Sequence, residues 1–221
     1  MRQDLSHIHA LMGRAPGDEK HDPSALSTLD VLWVLYDRVL RYDPRQPRAE
    51  NRDRFVLSKG HGPLAFYAIL VDKGFIPAAE LDRFMRWDGI LGSHPDRTQV
   101  PGVEVSTGSL GHGLPVAVGM ALGLRTKGSD RRVFALMGDG ESNEGSIWEA
   151  AMLAGHQRLS NLTGIFINNH SSSIPLDNLD AKLDAFGWDA RTVNGRDHDE
   201  IAAALAHTHA TRPTAVVADV R

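Results

Sequence analysis

Apolar positions along the chain fall into two patterns, short solid runs and longer stretches with helical spacing. Residues 132–137 and 162–167 are solid runs of strand length. Residues 147–156 between them read as a helix, so the region is a strand–turn–helix–strand unit. Phe55-Val56-Leu57 is another short buried strand, and residues 188–193 and 214–220 are two more. Leu26, Leu29, Leu32, Trp33, Tyr36 and Leu40 recur at helical spacing and predict a helix over 24–40, stopped by Pro44 and Pro47. Helices are also expected over 5–12, 64–73, 78–85, 111–125 and 199–207. Residues 13–23 read as loop, and 87–107 form a long Gly/Pro-rich stretch of the kind that is often functional inside a compact domain. The alternation of strands and helices argues an α/β fold: one domain over residues 1–221, a doubly wound, mostly parallel sheet with helices on both faces.

Composition narrows the choices. With 221 residues, 42% hydrophobic and 24% charged, the chain is an ordinary globular protein with a sizeable core. A net charge of −4 gives no electrostatic reason to expect nucleic acid or an anionic membrane as partner. The absence of cysteine excludes disulfides, thiolate metal sites and cysteine nucleophiles. Residues 1–20 have no apolar centre like that of a signal peptide, and no apolar run approaches membrane-spanning length. A reduced, cytoplasmic protein is expected.

Candidate chemistry gathers where strands end. Gly138-Asp139-Gly140 closes one strand, and Asn168-Asn169 closes the next, thirty residues later. In an open α/β sheet the carboxyl ends of the strands are where ligands bind. A carboxylate and an amide oxygen meeting there are hard ligands, suited to Mg²⁺ or Ca²⁺. Gly138 and Gly140 would let a diphosphate approach the backbone. A backbone carbonyl just past Asn169 is a candidate third ligand, and Ser171 lies two residues on. The alternative is a pair of unremarkable polar turns. Glu144 and Glu149 lie on or beside the following helix, where a carboxylate can simply complement the helix dipole or serve a structural or interface role. Among the eleven histidines, His61, His94 and His112 sit in Gly-rich, loop-like settings suited to proton transfer or substrate binding. None has zinc-site spacing. His7, His9, His207 and His209 read as surface residues. Gly108-Ser109-Leu110-Gly111-His112-Gly113 is a Gly-rich turn opening a helix, a weak phosphate signal alone.

Taken in order, Phe55–Gly62, Gly92–Asp96, Pro101–Gly111, Gly138–Gly145, Trp148–Ala151 and Asn161–Asn169 resemble the N-terminal diphosphate-binding domain of the transketolase family. The resemblance implies thiamine diphosphate held through Mg²⁺, or Ca²⁺, and transfer of a two-carbon ketol unit from a ketose to an aldose. It implies that Asp139, the Asn169 side chain and the Ser171 carbonyl hold the metal. Gly108, Ser109 and Leu110 would lie against the cofactor rings, and Gly138, Gly140 and Glu141 near the diphosphate. His61 matches a proton-relay histidine near the aminopyrimidine, and His94 and His21 match histidines that contact substrate oxygens. The surroundings of His21, Lys20-His21-Asp22-Pro23-Ser24, depart from the family pattern. Glu144 resembles a carboxylate at the interface between cofactor domains. Ser173 belongs to a serine-rich stretch, 170–174, that replaces a mostly apolar run around the thiazolium, and is expected to line the cofactor.

These 221 residues hold no counterpart of the family's later basic Gly-rich segment, of a further histidine, or of the pyrimidine-type domain. The resemblance therefore implies half an active site, completed by a separate pyrimidine-domain subunit, as a heterotetramer, acting on a sugar or sugar phosphate. Two other readings stand beside it. One is thiamine-dependent two-carbon transfer from a ketose or 2-oxo acid to a carrier protein or an unusual aldehyde. The other is a non-catalytic cofactor-binding or regulatory subunit.

Overall fold

A computed structural model describes residues 3–17 and 22–221. Five strands, β1 (Arg54–Leu57), β2 (Val133–Gly138), β3 (Leu162–Asn168), β4 (Asp189–Asn194) and β5 (Thr214–Asp219), form one sheet in the order β1-β2-β3-β5-β4. All four pairings are parallel. Helices α2 (Asp22–Val34), α3 (Leu64–Asp72) and α7 (His198–Ala206) lie on one face, with α1 (Ser6–Gly13) packed on α3, in one apolar cluster with Phe134, Leu136, Ile165, Ile167, Val216 and Ala218. Helices α4 (Gly113–Thr126), α5 (Gly145–His156) and α6 (Leu179–Ala185) pack on the other, against Val133, Ala135, Met137, Phe166, Ala215 and Val217. Both faces of each inner strand are enclosed, so these strands read as unbroken apolar runs rather than as alternation. Among the described residues no helix is long and apolar enough to cross a membrane.

Several elements differ from the expectations. The helix expected over 24–40 finishes as a π-helical turn, Leu35–Val39, closed by the Leu40 N–H on the Leu35 carbonyl (2.8 Å). The segment expected as a helix over 78–85 is a 3₁₀ helix, Ala78–Arg83, and Met85 at φ 60° turns the chain away. Helix α4 starts at Gly113 rather than Gly111, because Gly111 has φ 82° and belongs to the turn. Helix α6 was not expected. It buries only Leu179 and Leu183, too few apolar positions to betray a helical period.

The Gly/Pro-rich stretch makes a long excursion. It leaves the carboxyl edge of the sheet at Pro95 and returns at Thr107, whose N–H donates to the Pro95 carbonyl (3.2 Å). Its far tip is a Pro101-Gly102 turn closed by the Val103 N–H on the Val100 carbonyl (3.2 Å), with Gly102 at φ 90° as a type II turn requires. A Cβ on Gly102 would stand 2.7 Å from the Phe75 ring, so the turn sits directly on the layer of α3. Beside that tip, at the amino end of β1, the buried Asp53 carboxylate accepts hydrogen bonds from the Arg41 guanidinium and from the Arg41 and Arg132 N–H groups.

Candidate functional site

Asp139 follows β2 directly and is 1% exposed. It caps the 3₁₀ turn Gly140–Asn143, its Oδ1 accepting the Gly140 N–H at 2.7 Å. After β3 the chain turns at His170 (φ 57°) and brings Ser171 back to the same carboxylate. The Ser171 N–H donates to Oδ2 (2.7 Å), its hydroxyl to Oδ1 (3.0 Å), and the Ser172 N–H to Oδ2 (3.3 Å). One terminal atom of the Asn169 amide lies 2.9 and 3.1 Å from the two carboxylate oxygens and 2.7 Å from Ser171 Oγ. As nitrogen, that atom donates to both Asp139 oxygens; turned over, the amide oxygen would face the carboxylate at a separation close to that of cis ligands on an octahedral Mg²⁺, roughly 2.9 Å for bonds of about 2.0–2.1 Å, so the same spacing suits a hydrogen bond or a shared hard cation. Among the described residues no group of three His, Cys, Asp or Glu could hold a metal. A cation here would therefore depend on one carboxylate, an amide, a backbone carbonyl and ligands from outside the chain. A Cβ on Gly140 would meet nothing within 4 Å, which leaves room for a bulky anion against that backbone. A pocket of about 560 Å³ borders Asp139, its wall including Asn168, His170, Asp219 and Arg221.

A second wall forms where the end of β1 meets the Gly-rich turn. A Cβ on Gly60 would stand 2.7 Å from the Gly108 nitrogen, and one on Gly108 (φ 133°) would stand 2.7 Å from Cδ2 of His94. Two backbones and an imidazole thus touch in a way that only glycine permits. The His61 and His94 rings meet edge to face at 4.7 Å. His94 Nδ1 lies 3.2 Å from Ser93 Oγ, while His94 Nε2 and Thr107 Oγ1 are buried with no hydrogen-bond partner among the described residues. Buried polar atoms are ordinarily paired, so these two, both beside Gly108, fit a site that a polar ligand completes.

The two walls are joined by Glu141. From the sequence it is expected beside the diphosphate, but its carboxylate is turned inward and is 2% exposed. Oε1 accepts from the Ser58 hydroxyl (2.5 Å) and the Gly111 N–H (2.9 Å), and Oε2 from the Gly138 N–H (3.2 Å). The Ser58 oxygen in turn accepts the Gly113 N–H at 3.0 Å. One carboxylate thereby ties together β1, β2 and the start of α4. The neighbouring Lys59 runs over Gly138 and donates to the Ser24 carbonyl (2.9 Å) and hydroxyl (2.5 Å), linking α2 to the site. Burial pushes the Lys59 ammonium down to about 8, against the pull of Asp139 and Glu141.

The remaining expected residues are more scattered. Glu144 is exposed at the N-cap of α5, with its Cβ against Gly111. Ser109 is exposed, its hydroxyl 3.2 Å from His112 Nδ1, and Leu110 is half-buried. Ser173 is exposed and hydrogen-bonds to none of the Asp139 cluster. Glu149 is exposed, and His21 lies outside the described residues. Ser58 was not singled out from the sequence. It stands within the Phe55–Gly62 segment that carries the family resemblance, but no role was given to it, and its partner is 83 residues away.

A parallel sheet with its acidic and amide side chains at the carboxyl edge defines an α/β cofactor-binding domain. Residues 15–220 match the family model described as "Transketolase, thiamine diphosphate binding domain". Over 215 residues the chain is 52% identical to "Ferredoxin fas2" of Rhodococcoides fascians, covering 96% of this chain and 71% of that protein. The chain is also 42% identical over 192 residues to "6-deoxy-6-sulfo-D-fructose transketolase subunit SqwG" of Clostridium sp. (strain MSTE9), covering 84% of this chain and 70% of that protein. Among solved structures, transketolase from Campylobacter jejuni superposes with a TM-score of 0.81 at 26% identity, over 98% of this chain and 38% of that one. The chain belongs to the transketolase family and carries its thiamine diphosphate-binding domain. Its enzymatic class is that of a thiamine diphosphate-dependent, transketolase-like transferase.

Proposed function

We propose that this chain is the cofactor-binding subunit of a two-component transketolase, whose second, pyrimidine-type subunit completes the active site. The observation that carries this reading is the buried Asp139 carboxylate, with Asn169 and Ser171 converging on it. The similarity to a protein named as a transketolase subunit supports the two-component form. The transferred group is a two-carbon ketol unit, passed from a ketose or ketose phosphate to an aldose or related acceptor.

When bound, thiamine diphosphate supplies the thiazolium on which carbanion chemistry becomes accessible. Asp139, the Asn169 amide oxygen and the Ser171 carbonyl would hold Mg²⁺, and Gly138 and Gly140 would leave the diphosphate room. Gly108, Ser109 and Leu110 form the surface against which the cofactor rings rest, with Ser173 on the facing loop. His61 would stand near the aminopyrimidine, where an imidazole can relay a proton. Of the two histidines expected to contact substrate oxygens, His94 and His21, His94 offers a buried Nε2 with no hydrogen-bond partner among the described residues. Glu144 meets the neighbouring cofactor domain in a heterotetramer. Exposed Val116 on α4, and Met152 and Leu153 on α5, give a partner apolar surface to cover.

Calorimetry with thiamine diphosphate and Mg²⁺ tests this, on the chain alone and with a pyrimidine-type candidate partner, with Asp139→Ala as control. Binding that requires Mg²⁺ and Asp139 and tightens with the partner is the expected result. No binding in either setting overturns the reading.

A further inference from the structure

A pocket of about 280 Å³ lies at the amino end of β1, the opposite edge of the sheet from Asp139. It is walled by residues 47–52 on one side and by the tip of the 95–107 excursion on the other. Three guanidinium groups, Arg48, Arg52 and Arg97, share its lining with a single carboxylate, Glu104. That carboxylate is already engaged, at 2.5 Å by Arg52 Nη2 and at 3.6 Å by Arg54 Nε. Arg52 Nη1 donates to the Asp53 carbonyl, but its Nε is buried with no hydrogen-bond partner. Arg48 and Arg97 are exposed, and their side chains make no hydrogen bond or ion pair among the described residues. Among the described residues, the pocket's lining therefore holds more positive charge than it neutralises. Arg54, just behind, has its own pKa lowered, first by burial and then by the Arg52 charge.

We propose that this pocket binds a small dianionic oxyanion, either phosphate or a phosphate monoester. Guanidinium forks match phosphate oxygens in geometry and charge, and the stranded Arg52 Nε–H is the kind of donor such an oxygen satisfies. The volume suits a small ligand. A nucleic acid would need an extended basic surface, whereas this is one concavity on a chain of net charge −4. Its position extends the site's reach: the excursion whose tip lines the pocket has His94 and Gly108 at its base. The ligand would thus settle the same loop that shapes the His94 wall.

The test is calorimetric titration of the full chain with inorganic phosphate without divalent metal, and the arginine substitutions separate this pocket from the cofactor site. Saturable binding of one phosphate per chain is expected. Adding Arg48→Ala and Arg97→Ala should weaken it at least about tenfold, the loss expected for a charge-assisted contact. Both side chains are exposed and unpaired, so the fold should survive, and an unchanged circular dichroism spectrum checks this. Undiminished binding in the arginine variant, or no saturable binding in the low millimolar range, overturns the proposal.

Discussion

Removing the Glu141 carboxylate should loosen both walls of the cofactor site at once. Glu141→Ala strands the Ser58 hydroxyl and the Gly111 and Gly138 N–H groups, all facing a buried space. A buried donor left unpaired costs about 1–3 kcal/mol. The Ser58 hydroxyl can rotate toward another acceptor, so the two backbone groups dominate, at about 2–6 kcal/mol. Part of this is offset, because burial disfavours the ionised carboxylate and pushes its pKa above the usual range. A net loss of about 2–4 kcal/mol is expected. Glu141→Gln separates hydrogen bonding from shape. Its oxygen can still accept from Ser58 and Gly111, but its NH₂ then faces the Gly138 N–H, donor against donor. That variant should lose about 1–3 kcal/mol. Urea unfolding gives both values, read as midpoint shifts at constant slope. A double-mutant cycle with Ser58→Ala should show coupling of at least about 0.5 kcal/mol. If Glu141→Gln matches the parent chain, or the coupling is zero, the carboxylate does not join the walls as described.

Two further perturbations probe other parts of the molecule. Gly108→Ala places a methyl group 2.7 Å from the His94 ring at φ 133°, so it should destabilise the chain by more than about 1 kcal/mol and shift the His94 ring resonances; unchanged His94 shifts would contradict the contact. At Asp189, burial pushes the carboxyl up, but the His207 hydrogen bond (2.6 Å) and the charges of Arg191, His207 and Arg212 outweigh it and hold the pKa below its ordinary value. A depressed carboxyl contributes stability above its unfolded pKa of about 3.9 and loses it as pH falls through the folded value. Asp189→Asn should therefore be less stable than the parent at neutral pH, with the gap narrowing below about pH 4. A gap that stays constant down to acid unfolding would assign the effect to shape rather than charge.

How much of this was legible beforehand depended on range. The strands could be read because each inner one is buried on both faces, leaving solid runs such as 133–138 in the sequence. Asp139 and Asn169 could be read because each follows such a run directly, and the parallel topology brings the two strand ends together. What escaped were contacts that no local pattern records. Glu141 lies two residues beyond Asp139, yet its 3₁₀ turn sends the carboxylate inward to a serine 83 residues away. The fully buried Asp30–His198 pair (2.8 Å) joins residues 168 apart, and His198 Nδ1 also accepts the Gln3 N–H (3.0 Å). In the sequence, Asp30 is merely a polar position within a helix. Helix α6 escaped for a different reason, since two buried leucines do not make a period.

The strand order carries a consequence for the nascent chain. Among the described residues β4 pairs only with β5, and β5 also supplies the far partner of β3. Until residues 214–219 leave the ribosome, β3 presents an open edge and β4 has nothing to pair with. An unpaired apolar strand is a template for association with other chains. The segment 162–205 should therefore be the most dependent on chaperones during synthesis, and chains halted before Thr214 should aggregate rather than linger as soluble intermediates.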